Sequence, residues 1–398
     1  MGQRVRYWRL RRNLDRKQFA DMVGRSTSWL DKIEKGERSL LRLPMLETVA
    51  QALTVEPSVL LDTESARRAQ QCADPVEVQA IKRALSKYPA LSSSGGACAV
   101  DERRVLQQLA YGGQAWLSSH FTTVARVLPG VLADAQTYVA QAAEPQRLNA
   151  HRMLVMAYRL ACSMLLKYNA TEIAWLAADR AIHAAHAVED PIALARASRS
   201  VARAMSHTGQ RDEAIVVCTD MSDRLRPSLG GDGSDSLPLY GMLLLSAEIT
   251  AASLGEGALA RSLHNEALAA AERVGPQHRG HHTIFGVANV AVHRASALVR
   301  LHEHKQALNH ASNIAPALLD TLPAERRSSF LLDIATARSR SSAVPEAVEA
   351  LIEAERLAPE EVRCRPVVHQ LISELLSTPA GGTSPTLRPL AHRAGVVA

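Results

Sequence analysis

Apolar positions recur at helical spacing along nearly the whole chain, separated by short polar breaks. Val5 and Trp8 share the inner face of a first helix over Gln3–Arg11. Asn13 and Leu14 form a turn. Asp15-Arg16-Lys17-Gln18 then has the D-x-x-Q form of a capping box, which starts a second helix at Asp15. Phe19, Ala20 and Val23 make its apolar stripe, and Gly24 offers permissive backbone at the corner that follows. Ser26 caps a third helix, with Leu30 and Ile33 inward and Thr27, Ser28, Asp31, Lys32 and Lys35 outward. Gly36 ends it in the C′ role. Pro44 opens a fourth helix with Met45, Val49, Ala50 and Leu53 inward, and Pro57 opens a fifth that ends at Leu60-Leu61. A further helix is predicted over Val76–Tyr88, followed by a Ser/Gly tether at Leu91–Gly96.

From Asp101 to Leu376 the pattern becomes a succession of amphipathic helices in pairs. The second helices begin near Thr171, Gln210, Glu256, His304 and Val344, at intervals of roughly 40 to 47 residues. Their openings are alike: Glu172-Ile173-Ala174, Asp212-Glu213-Ala214, Lys305-Gln306-Ala307 and Pro345-Glu346-Ala347. A small Ala stands where neighbouring helices approach, and a large apolar residue follows it. Units that cannot cover their own apolar faces stack into a solenoid with an inner groove. The expected fold class is therefore all-α: a five-helix unit over residues 1–62, a linker over 63–100, a helical repeat domain over 101–376 and a flexible tail over 377–398.

Composition narrows this picture. Aromatic residues are only 4% of the 398, and turn pairs of the Asn-Gly type are missing, both against a β-rich fold. The most apolar run, Gly241–Leu254, is short and contains Glu248, so a soluble, cytoplasmic protein with no membrane contact is expected. Five cysteines, none paired as CxxC, predict reduced buried thiols rather than a disulfide frame or a zinc site. The net charge of +6 is unevenly placed. Residues 1–42 hold twelve Lys/Arg against five Asp/Glu, and the remainder holds 34 against 35. All the basic excess coincides with the helix–turn–helix pattern, as a footprint on a polyanion would require.

Gln18-Phe19-Ala20, Gly24, Ser26, Ile33-Glu34 and Gly36 make residues 1–62 resemble the phage-repressor-type, or XRE-family, helix-turn-helix domain. That resemblance implies a DNA-binding transcriptional regulator, nucleoid-associated and dimeric on an inverted-repeat operator in double-stranded DNA. It places base contacts on Arg16, Thr27, Ser28 and Lys32. Phosphate contacts would fall on Arg4, Arg6, Arg11, Arg12, Lys17, Gln18, Arg25, Ser26, Lys35, Arg38 and Arg42. Arg25 and Trp29 depart from the family's commoner choices. The later helices resemble tetratricopeptide repeats, and the TPR-like α-solenoid behind the helix-turn-helix resembles actinobacterial XRE-type regulators. More distantly, the combination resembles the RRNPP quorum sensors, whose inner groove holds a signalling peptide.

A groove in the repeat domain would draw on the first helices of the pairs: Tyr158, Arg159, Arg196, Arg199, Tyr240, Asn289, His293 and Arg294. Asn289 and His293 are four apart and share one helical face, where they could hold an amide and a carboxylate of a small-molecule or peptide effector. The plainer alternative is that they satisfy groups between repeats. A second alternative makes the repeats a scaffold that binds a partner protein constitutively. His183 with His186, and His302 with His304, lack further ligands at supporting spacing, so no metal is expected. No phosphate loop, nucleophile elbow or H-E-x-x-H motif occurs, which argues for a non-enzyme without cofactor.

Overall fold

The computed structural model describes residues 1–38, 43–61, 75–87, 99–230, 235–274, 278–280 and 283–396, the side chains of 75, 278–280 and 283 excepted. The chain divides into two compact units, Met1–Glu77 and Val78–Ala398.

The first unit contains α1 (Gly2–Arg11), α2 (Arg16–Met22), α3 (Thr27–Glu34), α4 (Leu43–Leu53) and α5 (Pro57–Leu61). Asp15 caps α2 reciprocally: its carboxylate accepts from Gln18 N at 2.8 Å, and the Gln18 side chain accepts from Asp15 N at 3.1 Å. Gly24, at φ +63°, turns the chain between α2 and α3 in the left-handed region that other residues occupy only under strain. Val5, Trp8, Phe19, Leu30, Ile33, Val49, Leu53 and Leu60 meet in one core. At the start of α4 it is Leu46 that is buried with Val49, Ala50 and Leu53, while Met45, expected inward, sits at the core's edge. Each fully buried side chain of this size contributes roughly 1.5–3 kcal/mol.

The next described helix along the chain is α6 (Pro75–Leu85), within whose sequence the division falls. The second unit begins with α7 (Glu102–Leu117) and α8 (Phe121–Gln141). It continues as helix pairs: α9 (Arg147–Lys167) with α10 (Thr171–His186), α11 (Pro191–His207) with α12 (Arg211–Leu225), and α13 (Ser236–Ser253) with α14 (Gly257–Val274). Then come α15 (Val287–Arg300) with α16 (His304–Ser312), a short α17 (Pro316–Leu319), and α18 (Ala324–Arg340) with α19 (Val344–Leu357). Ala174, Ala214, Ala307 and Ala347, each at most 1% exposed, stand at the close approaches. Their missing side-chain bulk lets backbones pack without a void.

Three features depart from the expected pattern. First, a two-stranded antiparallel hairpin, β1 (His278–Gly280) and β2 (Thr283–Phe285), enters α15 with His278 opposite Phe285. Three-residue strands carry too few alternations to register in a hydropathy pattern. Phe285 from this hairpin sets the tip of its ring against Gly241 of α13, where a Cβ would come within 1.9 Å of it. Second, the expected flexible tail, 377–398, is folded through 396. After α20 (Pro359–Arg363) and α21 (Pro366–Leu376), the chain forms α22 (Pro379–Gly382) and α23 (Leu387–Ala394). Leu387 and Leu390 are fully buried beside Leu351 and Leu375, and the Arg393 guanidinium pairs with Glu355 at 2.5 Å. The Gly/Pro/Ser composition of the segment hid two well-placed leucines.

Third, the expectation of reduced thiols holds for Cys162 and Cys218, both free and buried, but not for Cys364, which is disulfide-bonded. Wide spacing in sequence does not keep two cysteines apart in space. Cys72 and Cys98 lie outside the described residues, as does the tether at 91–96. Among the described residues no helix is long and apolar enough to cross a membrane.

The ends of the repeat array meet. Glu360 of α20 accepts from the backbone N–H of Thr122 on α8 at 2.8 Å. Lys167, at the end of α9, lies over the rings of Trp116 and Phe121 and bonds both Glu325 of α18, at 2.7 Å, and Glu361 of α20. Leu117 of α7 packs with Phe330 and Ile284. The inner groove expected of the repeats is thus drawn into a ring of helices around a cavity of about 350 Å³ that stays partly open to solvent.

Candidate functional site

The outward surface of α3 is built by elimination. Leu30 and Ile33 point into the core, and Ser26 accepts from Trp29 N at 3.2 Å to fix the helix start. Thr27, Ser28, Lys32 and Lys35 are left exposed on one side, with Arg16, Lys17 and Gln18 exposed at the start of α2. Short hydroxyls and cations on one exposed helix face are donors and acceptors of the size that reach base edges and phosphates. Asp31 lies among them. It pairs with Lys35 at 2.6 Å and stands 3.7 Å from Arg16. The Lys35 ammonium holds the Asp31 carboxyl below the usual carboxylate range, and Asp31 in turn raises Lys35. Arg25 lies over the Trp29 ring at 6.0 Å, so the two residues that depart from the family's commoner choices meet each other.

Among the described residues, the first unit's basic side chains fall into two groups. Arg6, Arg16, Lys17, Arg25, Lys32, Lys35 and Arg38 are exposed. Four others brace the fold. Arg9 makes a two-pronged buried pair with Glu34, at 2.6 and 3.2 Å. Arg11, expected at phosphate, is instead bidentate on Glu77 at 2.6 and 2.7 Å, with its side chain 1% exposed. Arg4 donates to the carbonyls of Leu60 and Leu61, and Arg12 to those of Leu53 and Thr54. The guanidiniums of Arg11 and Arg12 also lie against the Trp8 ring, at 4.7 and 5.0 Å. Sequence spacing showed Arg4, Arg11 and Arg12 as surface charge because the carbonyls and carboxylate that hold them lie more than forty positions away. Arg42 lies outside the described residues.

Of the eight groove candidates, Arg159, Arg199 and His293 line the cavity of the second unit, on α9, α11 and α15. The other five are held elsewhere. Tyr158 accepts from Gln136 at 3.1 Å, and Tyr240 donates to Glu266. Arg196 is paired with Asp235 at 2.6 Å. Asn289, 1% exposed, donates to the Ile284 carbonyl at 2.9 Å and so ties α15 to the hairpin. Arg294 lies outside the lining. Asn289 and His293 touch as predicted by their spacing, but through backbone: His293 Nδ1 lies 2.8 Å from the Asn289 carbonyl. Burial, with the charge of Arg326 next, pushes the His293 imidazole down to about 3, so it stays neutral at any physiological pH.

Arg203, Arg326 and the hydroxyls of Ser163 and Ser246 also line the cavity and were missed from sequence. Arg199 and Arg203 are four apart, which marks them as neighbours on one helix face. Arg326 and Ser246 come from other repeats, and nothing local relates them to α11.

Residues 1–63 match a family model described as a helix-turn-helix domain. A search of curated proteins finds no match. Among solved structures, the chain is similar to ComR from S. thermophilus, crystallised in complex with DNA and its signalling peptide ComS. The two are 14% identical, and the match covers 89% of this chain and 99% of that one at a TM-score of 0.25. At that score no residue role passes from one chain to the other.

Proposed function

We propose that this protein is a sequence-specific DNA-binding transcriptional regulator and that α3 is its reading helix. One observation carries the reading: a helix-turn-helix domain presents Thr27, Ser28 and Lys32 on the exposed face opposite its buried Leu30 and Ile33. Thr27, Ser28 and Lys32, with Arg16 beside them, read base edges in the major groove. Arg6, Lys17, Gln18, Arg25, Ser26, Lys35 and Arg38 set register on phosphates, which carry affinity but little sequence information. On DNA, Lys35 and Arg16 exchange part of their attraction to Asp31 for phosphate, so Asp31 works against non-specific binding.

A single such domain makes few contacts, so the regulator acts as a homodimer on an inverted repeat with half-sites about 10 bp apart or a multiple of that. The second unit supplies dimerisation and takes an effector in its cavity, shifting the population between DNA-competent and incompetent forms. An electrophoretic mobility shift on the DNA upstream of its own gene tests the reading. The parent should retain the specific duplex against competitor, and Lys32→Ala should lose preference at one or two positions, a cost of about 1–3 kcal/mol. Equal retention of specific and scrambled duplex by the parent would refute it.

A further inference from the structure

The cavity inside the second unit carries charge that its own walls do not balance. Among the described residues, seven Lys and Arg side chains line it against two carboxylates, Glu325 and Asp333. Lys167 is met by Glu325 and Glu361, Arg365 by Glu361 at 2.9 Å, and Arg300 lies 3.8 Å from Asp333. Arg326 shares Glu325 with Lys167, at 3.4 Å. Among the described residues Arg199 and Arg203 hydrogen-bond neutral groups: Arg199 donates to the Ser246 hydroxyl at 3.1 Å and Arg203 to that of Ser163 at 2.9 Å, while Glu325, the carboxylate that acts on Arg203, is already shared by Lys167 and Arg326. These two, with Arg159 from the adjacent α9, converge on one region of the wall.

Such an arrangement is costly. Burying a cation without a counter-charge is unfavourable, and placing like cations beside it adds repulsion. Both effects register in the same direction. Burial first, then the neighbouring guanidiniums Arg196 and Arg203, pushes Arg159 down to about 9. Burial and the charges of Arg203, Arg326 and Arg159 hold Arg199 well below its ordinary value. A fold assembled only for its own stability gains nothing from this cluster. An anion entering the cavity would relieve it and would find planar forks suited to two-oxygen contacts.

We propose that this cavity binds a small organic polyanion, its phosphate or carboxylate groups held by Arg159, Arg199, Arg203 and Arg326. Ser163 and Ser246 add hydroxyl contacts, and Trp116 and Met242 supply apolar wall for the body of the molecule. The volume of about 350 Å³ suits a metabolite-sized ligand, and closure of the ring by Lys167, Glu325 and Glu361 disfavours a long chain threaded through it. The inference rests on the reading of this cavity as the effector site and names the chemical class of the effector.

Calorimetric titration of the full chain with inorganic pyrophosphate and, separately, with citrate, at constant ionic strength, tests it and separates the two acid chemistries. Saturable binding of either is expected, with affinity reduced about thirtyfold or more in Arg199→Gln/Arg203→Gln. Without ligand, that variant should melt at or above the parent temperature, because repulsion and burial cost have been removed; a purely structural pair would lower it. Arg326→Gln, on a different helix, repeats the comparison should the double variant fold poorly. No saturable binding of either anion, or equal binding by parent and variants, overturns the proposal. Repeating the DNA retention assay with the bound anion present then isolates the other reading. Anion binding with unaltered DNA affinity keeps the site and removes its role as effector pocket.

Discussion

The Arg9–Glu34 pair allows the most pointed test of how the first unit is held together. Arg9 leaves the last turn of α1 and Glu34 ends α3; their side chains are 6% and 2% exposed. The guanidinium makes two bonds to the carboxylate and a third to the Leu14 carbonyl, at 2.8 Å. Arg16 stands at 3.5 Å from the same carboxylate. Replacing Glu34 with Leu strands a buried cation on one carbonyl, a change that costs about 3–5 kcal/mol. A unit of 77 residues has a total stability of only about 4–12 kcal/mol, so most of it is at stake. Removing both charges together, as Arg9→Met/Glu34→Leu, should be close to neutral, because the pair's attraction is largely offset by its desolvation. The assay is amide hydrogen exchange by mass spectrometry on the full chain, which reports opening of this unit without requiring the whole molecule to unfold in two states. Peptides from α1 and α3 should exchange about 10²- to 10⁴-fold faster in Glu34→Leu and return to within about tenfold of the parent in the double variant. Parent-like exchange in the single variant, or a double variant as open as the single, would refute the reasoning.

Other outcomes follow from the second unit. Gly241→Ala would place a methyl 1.9 Å from the Phe285 ring and should destabilise by about 1–3 kcal/mol or more, read as a lower Tm, with partial recovery in Gly241→Ala/Phe285→Leu. His293 is neutral in the fold down to about pH 3, whereas in the unfolded chain it takes up a proton below about 6.5. Stability should therefore fall as pH drops through that window, by up to about 1.4 kcal/mol per pH unit from this residue, and His293→Gln should flatten the decline in a Tm series from pH 6.5 to 4.5. Burial pushes the Cys162 thiol up to about 11 and Cys218 up to about 12, so neither should react with iodoacetamide in the native protein at pH 7; modification at the rate of a free thiol would contradict their placement.

Local signals were legible in the sequence to within a residue, and relations between distant residues were not. The capping box at Asp15, the Ser26 cap and the starts at Thr171, His304 and Val344 all depend on neighbours within one turn of helix, and the helices begin there. The alanines at the repeat contacts were visible for the same reason. Arg11 was read as surface charge because its partner, Glu77, is 66 positions away. Closure of the repeats into a ring depends on Lys167 meeting Glu325 and Glu361 across 158 and 194 positions, which no period reveals. The cavity was half visible. Arg159, Arg199 and His293 followed from the rule that first helices face inward, while Tyr158 and Arg196, also on first helices, are taken up by contacts between repeats and Tyr240 by Glu266 of its own pair. Helical period separates inside from outside, but it cannot say which inward residues are left without a neighbour.

The claim that α3 reads DNA is tested most directly by selection of duplexes from a randomised pool on the full-length protein, followed by sequencing of the retained molecules. The account predicts enrichment of a two-fold symmetric sequence with half-sites about 10 bp apart or a multiple, and a changed preference at the same positions in Lys32→Ala. A pool that stays random after repeated rounds at low salt, or an enriched sequence indifferent to changes at Thr27, Ser28 and Lys32 alike, would contradict it.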